Sequence, residues 1–345
     1  MDLRDLFKDI VSLQDKEVTV QGWIRNHRDQ KTFGFIDFSD GTDFRHLQIV
    51  YDNSLDNFVE TQKLLVGSAI QATGTIVPST GSQDYEMRAT KIELLGDCPE
   101  DYPIQPKRHT REFLREVAYL RPRTNLFQAV FRVRSVAAYA IHKYFQDRGY
   151  VYFHAPIITA SDCEGAGEMF QVTTLPLEKL KGEIDYSKDF FGKMANLTVS
   201  GQLEAETFAL AYKKTYTFGP TFRAENSNTK THASEFWMIE PEIAFCDLEG
   251  DMDIMEDMLK YVVKYVLENC SSEIAFCDQF VEKGLKEKLE RLISSKFTRI
   301  DHEEVIRILK EANVKWEFEP EYGCDIAKEH EKYITEYFNG PVFIK

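Results

Sequence analysis

The sequence predicts an α+β fold: a closed five-stranded barrel first, then an antiparallel hairpin sheet flanked by helices. Three observations predict it. Within residues 17–95, five runs of alternating character (VTVQGWI, FGFIDFS, HLQIVY, AIQATGTIV and YEMRATKIELL) are punctuated by Gly, Asp and Asn. Over 125–148, Phe127, Val130, Phe131, Val133, Val136, Ala137, Ile141 and Tyr144 repeat at helical spacing until Gly149 ends the run. At 217–245, Phe218, Pro220 and Phe222, then Phe236, Met238, Glu240, Glu242 and Ala244, keep a two-residue period on either side of a polar loop.

In the barrel region a short helix around 55–64 interrupts the five strands, the pattern of an OB-fold, whose exposed face commonly binds single-stranded nucleic acid. Trp23, Phe33 and Phe35 are its candidate stacking or packing residues. Arg25, Arg28, Lys31 and Gln48 have the reach for bases or phosphates. For any one of these aromatics, Trp23 included, packing in the core is the commoner role.

Residues 96–110 carry three prolines and no periodicity, so they read as a linker. Lys107, Arg108, Arg111, Arg115, Arg121 and Arg123 follow, opposed only by Glu112 and Glu116. A solvated helix face and a phosphate-backbone contact both account for that run. After the long helix, YVYFHAPIIT reads as a strand. The glycines and acids of SDCEGAGEMF suit a mobile loop, and LTVSGQLEAETFAL runs strand, turn, helix. In the hairpin, Arg223 and Glu225 lie two apart just before the loop; the guanidinium fork matches a phosphate. Lys230 and His232 are placed to meet further phosphate oxygens, and Phe236 to stack on a base. An acidic amphipathic helix spans 248–269, with helical stretches at 279–293 and 301–312. A charged helix and a strand beginning at Pro341 close the sequence, that strand expected to lack sheet neighbours.

Composition limits the function classes. The 345 residues carry a net charge of −15, too acidic for a surface that grips nucleic acid everywhere, so any RNA contact is local. The six cysteines form no CxxC pair and read as reduced thiols. No apolar run of signal-peptide or membrane-spanning length is present, which leads to the expectation of a cytoplasmic protein with no membrane contact. There is no Walker A sequence, Rossmann glycine pattern or HIGH/KMSKS pair.

FRAE, a polar loop and then EFWMIEPEIAF together resemble the second motif of class II aminoacyl-tRNA synthetases, within their aspartyl, asparaginyl and lysyl subclass the asparaginyl enzymes. GWIRNHRD…FGFIDFSD…LQIV is similar to the anticodon-binding barrel of the same subclass. The resemblance implies ATP and Mg²⁺, L-asparagine and tRNA(Asn), and activation of asparagine followed by transfer to tRNA. It implies Arg223 as the catalytic charge stabiliser, with Glu225, Thr231, His232 and Phe236 also on ATP. It implies Glu164, Ser200, Gln202, Glu204 and Ala205 around the amino acid, although Glu204 equally suits a first-turn acid favoured by the helix dipole. It implies Arg25, Arg28, Phe33, Phe35 and Gln48 at the anticodon. Aspartyl enzymes of the subclass carry a lysine where this sequence has Ala205.

A homodimer through 124–156 is implied by the resemblance alone, since the periodicity fits an internal helix equally well. The domains expected are 1–98 (anticodon barrel), 99–123 (basic hinge) and 124–345 (catalytic), the last with a helical insertion at about 249–312. The family continues into metal-ligand strands and a third motif that this text does not contain. No metal ligand is therefore assigned within the chain, and the chain by itself is expected not to catalyse. An aspartyl- or lysyl-type synthetase, or a non-catalytic tRNA-binding fragment or paralogue, is the alternative reading.

Overall fold

The computed structural model describes the whole chain except residues 82, 164, 166, 167, 180 and 227–231. Its residues fall into two compact units, 1–135 with 267–287, and 136–266 with 288–345.

The first unit opens with α1 (Leu3–Lys8), which sequence periodicity did not reveal. The barrel follows: β1 (Glu17–Asp29), β2 (Phe33–Ser39), β3 (Leu47–Asp52), α2 (Phe58–Thr61), β4 (Ala69–Pro78) and β5 (Tyr85–Gly96), closed in the order β1-β2-β3-β5-β4. Strict alternation sets what is inside. Val18, Val20 and Ile24 of β1, Ile36 and Phe38 of β2, and Leu47, Ile49 and Tyr51 of β3 are buried, and Leu3 and Leu6 of α1 pack into the same core. The ring is closed, so each of the five strands has a neighbour on both sides.

Trp23 corrects an expectation. It does not pack in the core but is 48% exposed on the outer face. The reason is parity: Gly22 and Ile24 point inward, so the residue between them points outward. The 96–110 stretch is also more than a spacer, because Cys98, Tyr102 and Ile104 are buried with Leu114 and Leu120 in a small core of their own. α3 (Arg111–Glu116) follows, its first turn capped by the Thr110 hydroxyl accepting from Phe113 N at 3.2 Å.

In the second unit, the later turns of α4 (Asn125–Asp147) pack on a three-stranded sheet. Phe145 stacks on Tyr216 with ring centroids 4.6 Å apart, and His142 Nδ1 lies 2.8 Å from the Tyr216 hydroxyl. The expected YVYFHAPIIT strand is split into β6 (Val151–Tyr152) and β7 (Ile158–Thr159), with Pro156 in the gap where it removes a ladder donor. β7 joins β8 (Gln171–Val172) and β9 (Ala195–Leu197) in a small sheet of order β7-β9-β8. α5 (Gln202–Tyr212) leads into the hairpin, β10 (Lys214–Phe222) and β11 (Glu235–Ile243). These pair antiparallel from Lys214↔Ile243 to Phe222↔Glu235, and β6 lies parallel to β10.

α6 (Leu248–Asn269) has the bounds expected of it. The stretch expected at 279–293 is two helices instead, α7 (Ser271–Phe280) and α8 (Leu285–Ser294), separated where Gly284 takes φ +84°. β12 (Thr298–Ile300), α9 (His302–Glu311), α10 (Lys328–Tyr337) and β13 (Val342–Ile344) complete the chain. The closing strand does have a neighbour, since β13 pairs parallel with β12. None of the six cysteines is joined in a disulfide, and among the described residues no helix is long and apolar enough to cross a membrane.

Candidate functional site

The hairpin face in the second unit is organised by one carboxylate. Glu240 stands opposite Thr217 across the ladder and accepts from its hydroxyl at 3.1 Å. It also accepts from Gly201 N at 3.1 Å and from the Ser200 hydroxyl. Ser200 Oγ in turn accepts from Gln202 N at 3.1 Å, and the Thr198 hydroxyl donates to Ser200 O at 2.6 Å. The turn between β9 and α5 is thereby fixed onto the hairpin. Glycine is required there: a Cβ on Gly201 would stand 2.9 Å from Ala155 Cβ and 3.3 Å from Thr217.

The turn places the expected amino-acid residues unequally. Ser200 is buried, Gln202 is exposed with Nε2 donating to Glu206 Oε1 at 3.1 Å, and Glu204 is half-buried in the first turn of α5. Ala205 is fully buried, its carbonyl accepting from the Thr215 hydroxyl at 3.2 Å. Glu242, one step along the same face as Glu240, has its carboxyl pushed above the usual range by burial and then by the charges of Glu206, Glu240 and Asp251.

Arg223 comes just after β10 rather than within it, and three segments hold it. Its backbone N donates to Ser234 O at 3.1 Å, extending the ladder by one bond. Its Nη2 donates to Val199 O at 3.4 Å and approaches Met238 Sδ at 4.0 Å. Its guanidinium sits 5.5 Å from the Phe236 ring. Next to it, Ala224 N donates to Glu168 O at 2.7 Å, which ties Glu168 to the hairpin. Arg223, Phe236, Met238 and Glu240 therefore share one face. Glu225 and His232 are exposed beside it. Glu164 and Thr231, along with Lys230, lie outside the described residues. Among the described residues no three His, Cys, Asp or Glu side chains converge as a metal would need.

The second candidate surface is the outer face of the barrel in the first unit. Arg28 pairs with Phe35 across β1 and β2, its guanidinium 5.5 Å from the ring, and Phe33 meets Phe35 edge-on at 5.4 Å. Gln48 stands beside Asp37 in register and donates from Nε2 to Glu86 Oε2 at 2.9 Å; Asp37 accepts from His46 Nδ1 at 3.0 Å. Arg28, Phe35, Asp37, His46 and Gln48 line a recess of about 450 Å³, with Asn26, Phe44 and Arg45 also in its wall. Arg25 falls at the register shift between Ile24 and Asn26. It opens into a larger cavity of about 1300 Å³, where Lys107, Arg108, Arg111 and Arg123 join it opposite Trp23 and Tyr102. Part of the sequence's basic run is thus gathered around one hollow.

Sequence reasoning missed Glu240. The available signal was an acid on the same strand face as Phe236 and Met238, where an unsatisfied carboxylate is costly.

Residues 110–345 match the family described as tRNA synthetases class II (D, K and N), and residues 18–95 match the OB-fold nucleic acid binding domain. The chain is 59% identical over 350 residues to asparagine–tRNA ligase of Acholeplasma laidlawii (strain PG-8A), covering 99% of this chain and 76% of that one. It is 52% identical over 348 residues to the asparagine–tRNA ligase of Clostridium botulinum (strain Hall), covering 99% and 75%. The crystal structure of asparaginyl-tRNA synthetase from Pyrococcus horikoshii complexed with asparaginyl-adenylate is similar with a TM-score of 0.79 at 27% identity, covering 96% of this chain and 71% of that one.

Proposed function

We propose a division of labour within this chain, which belongs to the class II tRNA synthetases of the D, K and N type. Its function is that of an asparagine–tRNA ligase, and the observation that carries this is 59% identity along 99% of the chain. The reaction is ATP-dependent activation of L-asparagine followed by transfer to tRNA(Asn).

The hairpin face performs the first step. The asparagine carboxylate is already ionised and attacks the α-phosphorus of ATP; the bond to the bridging oxygen breaks and pyrophosphate leaves with its electrons. No general base is needed. Arg223, held by Val199 and Phe236, offers its fork to charge developing on the phosphoryl oxygens. Phe236 stacks on the adenine, with Glu225, Thr231 and His232 around the nucleotide. The Glu240-braced turn presents Ser200 and Gln202 to the amino acid together with Glu164, Glu204 and Ala205. Mg²⁺ bound with ATP would supply neutralisation of the phosphate charge.

The barrel reads the anticodon. Phe35 stacks on one base and Gln48 reads another, with Arg25, Arg28 and Phe33 alongside. Lys107, Arg108, Arg111 and Arg123 meet the phosphate backbone at the larger cavity. The reading includes domains 1–98, 99–123 and 124–345, a homodimer through 124–156, and a cytoplasmic location.

Asparagine-dependent ATP–pyrophosphate exchange tests the assignment. Exchange driven by asparagine and not by aspartate supports it, and exchange at least as efficient with aspartate overturns it.

A further inference from the structure

α7 lies in the segment that returns to the first unit, and it forms walls on the barrel's outer side. Ser272, near its start, lines the recess that holds Phe35 and Gln48. Phe276 and Phe280, toward its end, line the larger basic cavity. Between them, Phe276 packs edge-on against Phe44 with ring centroids 5.5 Å apart, and Phe44 belongs to the loop joining β2 to β3.

That loop carries three side chains of the recess wall, Phe44 itself and then Arg45 and His46. Arg45 makes a bidentate pair with Asp43, Nε to Oδ1 and Nη2 to Oδ2, both at 2.9 Å. His46 is held through Nδ1 by Asp37, and its Nε2 is buried with no hydrogen-bond partner. Arg132 of α4 donates to Thr42 O at 3.3 Å and to Gly41 O. Glu273 of α7 is buried close enough to Arg132 and Arg45 to feel both charges, while burial pushes its own carboxyl up. The loop is therefore anchored at its start by α4, with the ring contact from α7 at its centre. A loop of this length holds side chains to a fixed geometry only where such contacts lock it.

We propose that α7 is a positioning element for anticodon reading: Phe276, packed on Phe44, holds Arg45 and His46 at the wall of the recess that receives a nucleobase beside Phe35 and Gln48. Phe276 acts on the recess through Phe44. The proposal rests on the barrel reading above. It adds a helix far away in sequence, one that strand alternation and barrel motifs say nothing about.

The test measures binding of the chain to a tRNA(Asn) transcript and to the same transcript with its anticodon altered. If the unmutated chain does not distinguish the two transcripts, the barrel reading itself fails. If it does, Phe276→Ala is expected to weaken cognate binding about tenfold and to shrink the ratio between transcripts, with Phe276→Leu retaining most of both. Ser272→Trp, which fills the recess from the surface of α7 without touching the barrel core, is expected to abolish the ratio. Melting of each variant checks the fold. A folded Phe276→Ala with an undiminished ratio overturns the proposal, as does equal loss of affinity for both transcripts. Should Phe276→Ala not fold, Ser272→Trp decides, and a preserved ratio overturns the proposal.

Discussion

The barrel and the hairpin carry recognition surfaces of two different kinds. The strand residues of the barrel's outer face come from one closed sheet, where each is set by its neighbours along and across strands, and the distant helices hold only the loop between β2 and β3. Arg28 meets Phe35 because they are register partners, and Gln48 stands by Asp37 for the same reason. The hairpin face instead joins segments far apart in sequence. Glu240 reaches Ser200 across 40 positions, and Arg223 leans on Val199 across 24. A barrel contact therefore fails alone, whereas a hairpin contact takes its turn or loop with it.

The largest effect expected from this contrast is at Arg223. Arg223→Ala should lower asparagine-dependent pyrophosphate exchange about 10²-fold or more, the loss of one preorganised charge-stabilising donor. Arg223→Lys should rescue little, because an ammonium lacks the planar fork. Exchange near the unmutated level in either variant would break the comparison by reducing Arg223 to a structural contact.

Phe35→Ala should weaken tRNA binding by about 1–3 kcal/mol, the value of one stacked base, with an unchanged melting temperature. A melt that collapses would return Phe35 to the core and remove the barrel's independence.

Glu240→Gln sharpens the claim about the hairpin's shared contacts. Replacing the carboxylate by an amide weakens charge-assisted bonds from Ser200, Gly201 and Thr217, for about 1–2 kcal/mol. The loss should appear in the KM for asparagine more than in that for ATP. Equal changes in both constants would contradict the bracing role.

The smallest effect is a pH dependence at Asp189, on the segment between β8 and β9. The Thr173 hydroxyl, and then the Thr174 and Phe190 backbone N–H groups, hold its carboxyl down to about 2, from an ordinary 3.8. A depressed carboxyl contributes stability that is complete above the unfolded value and is lost as pH falls toward 2. Asp189→Asn should therefore melt lower than the unmutated chain at neutral pH, and the gap should close in that acid window. A gap constant from pH 7 to 2 would exclude ionisation as its source.

How much was legible in the sequence follows the same division. Alternation alone located all five barrel strands, and it would have turned Trp23 outward had its parity been followed from Gly22 and Ile24. The hairpin's strands were also legible, because a two-residue period and a polar loop are local signals. Glu240 as a brace was not, since its partners lie on another turn. α7 escaped because SSEIAFCDQF has too few apolar repeats for a helical stripe, and its role depends on Phe44, which no local pattern connects to it.

The central claim is that the two faces work separately. The most direct measurement is asparagine-dependent exchange, which needs no tRNA, set beside tRNA binding in Arg223→Ala and in Phe35→Ala. The account predicts a crossed result: Arg223→Ala loses exchange and keeps tRNA affinity, while Phe35→Ala keeps exchange and loses affinity. Both variants losing both properties, or Phe35→Ala losing exchange with its fold intact, would contradict it.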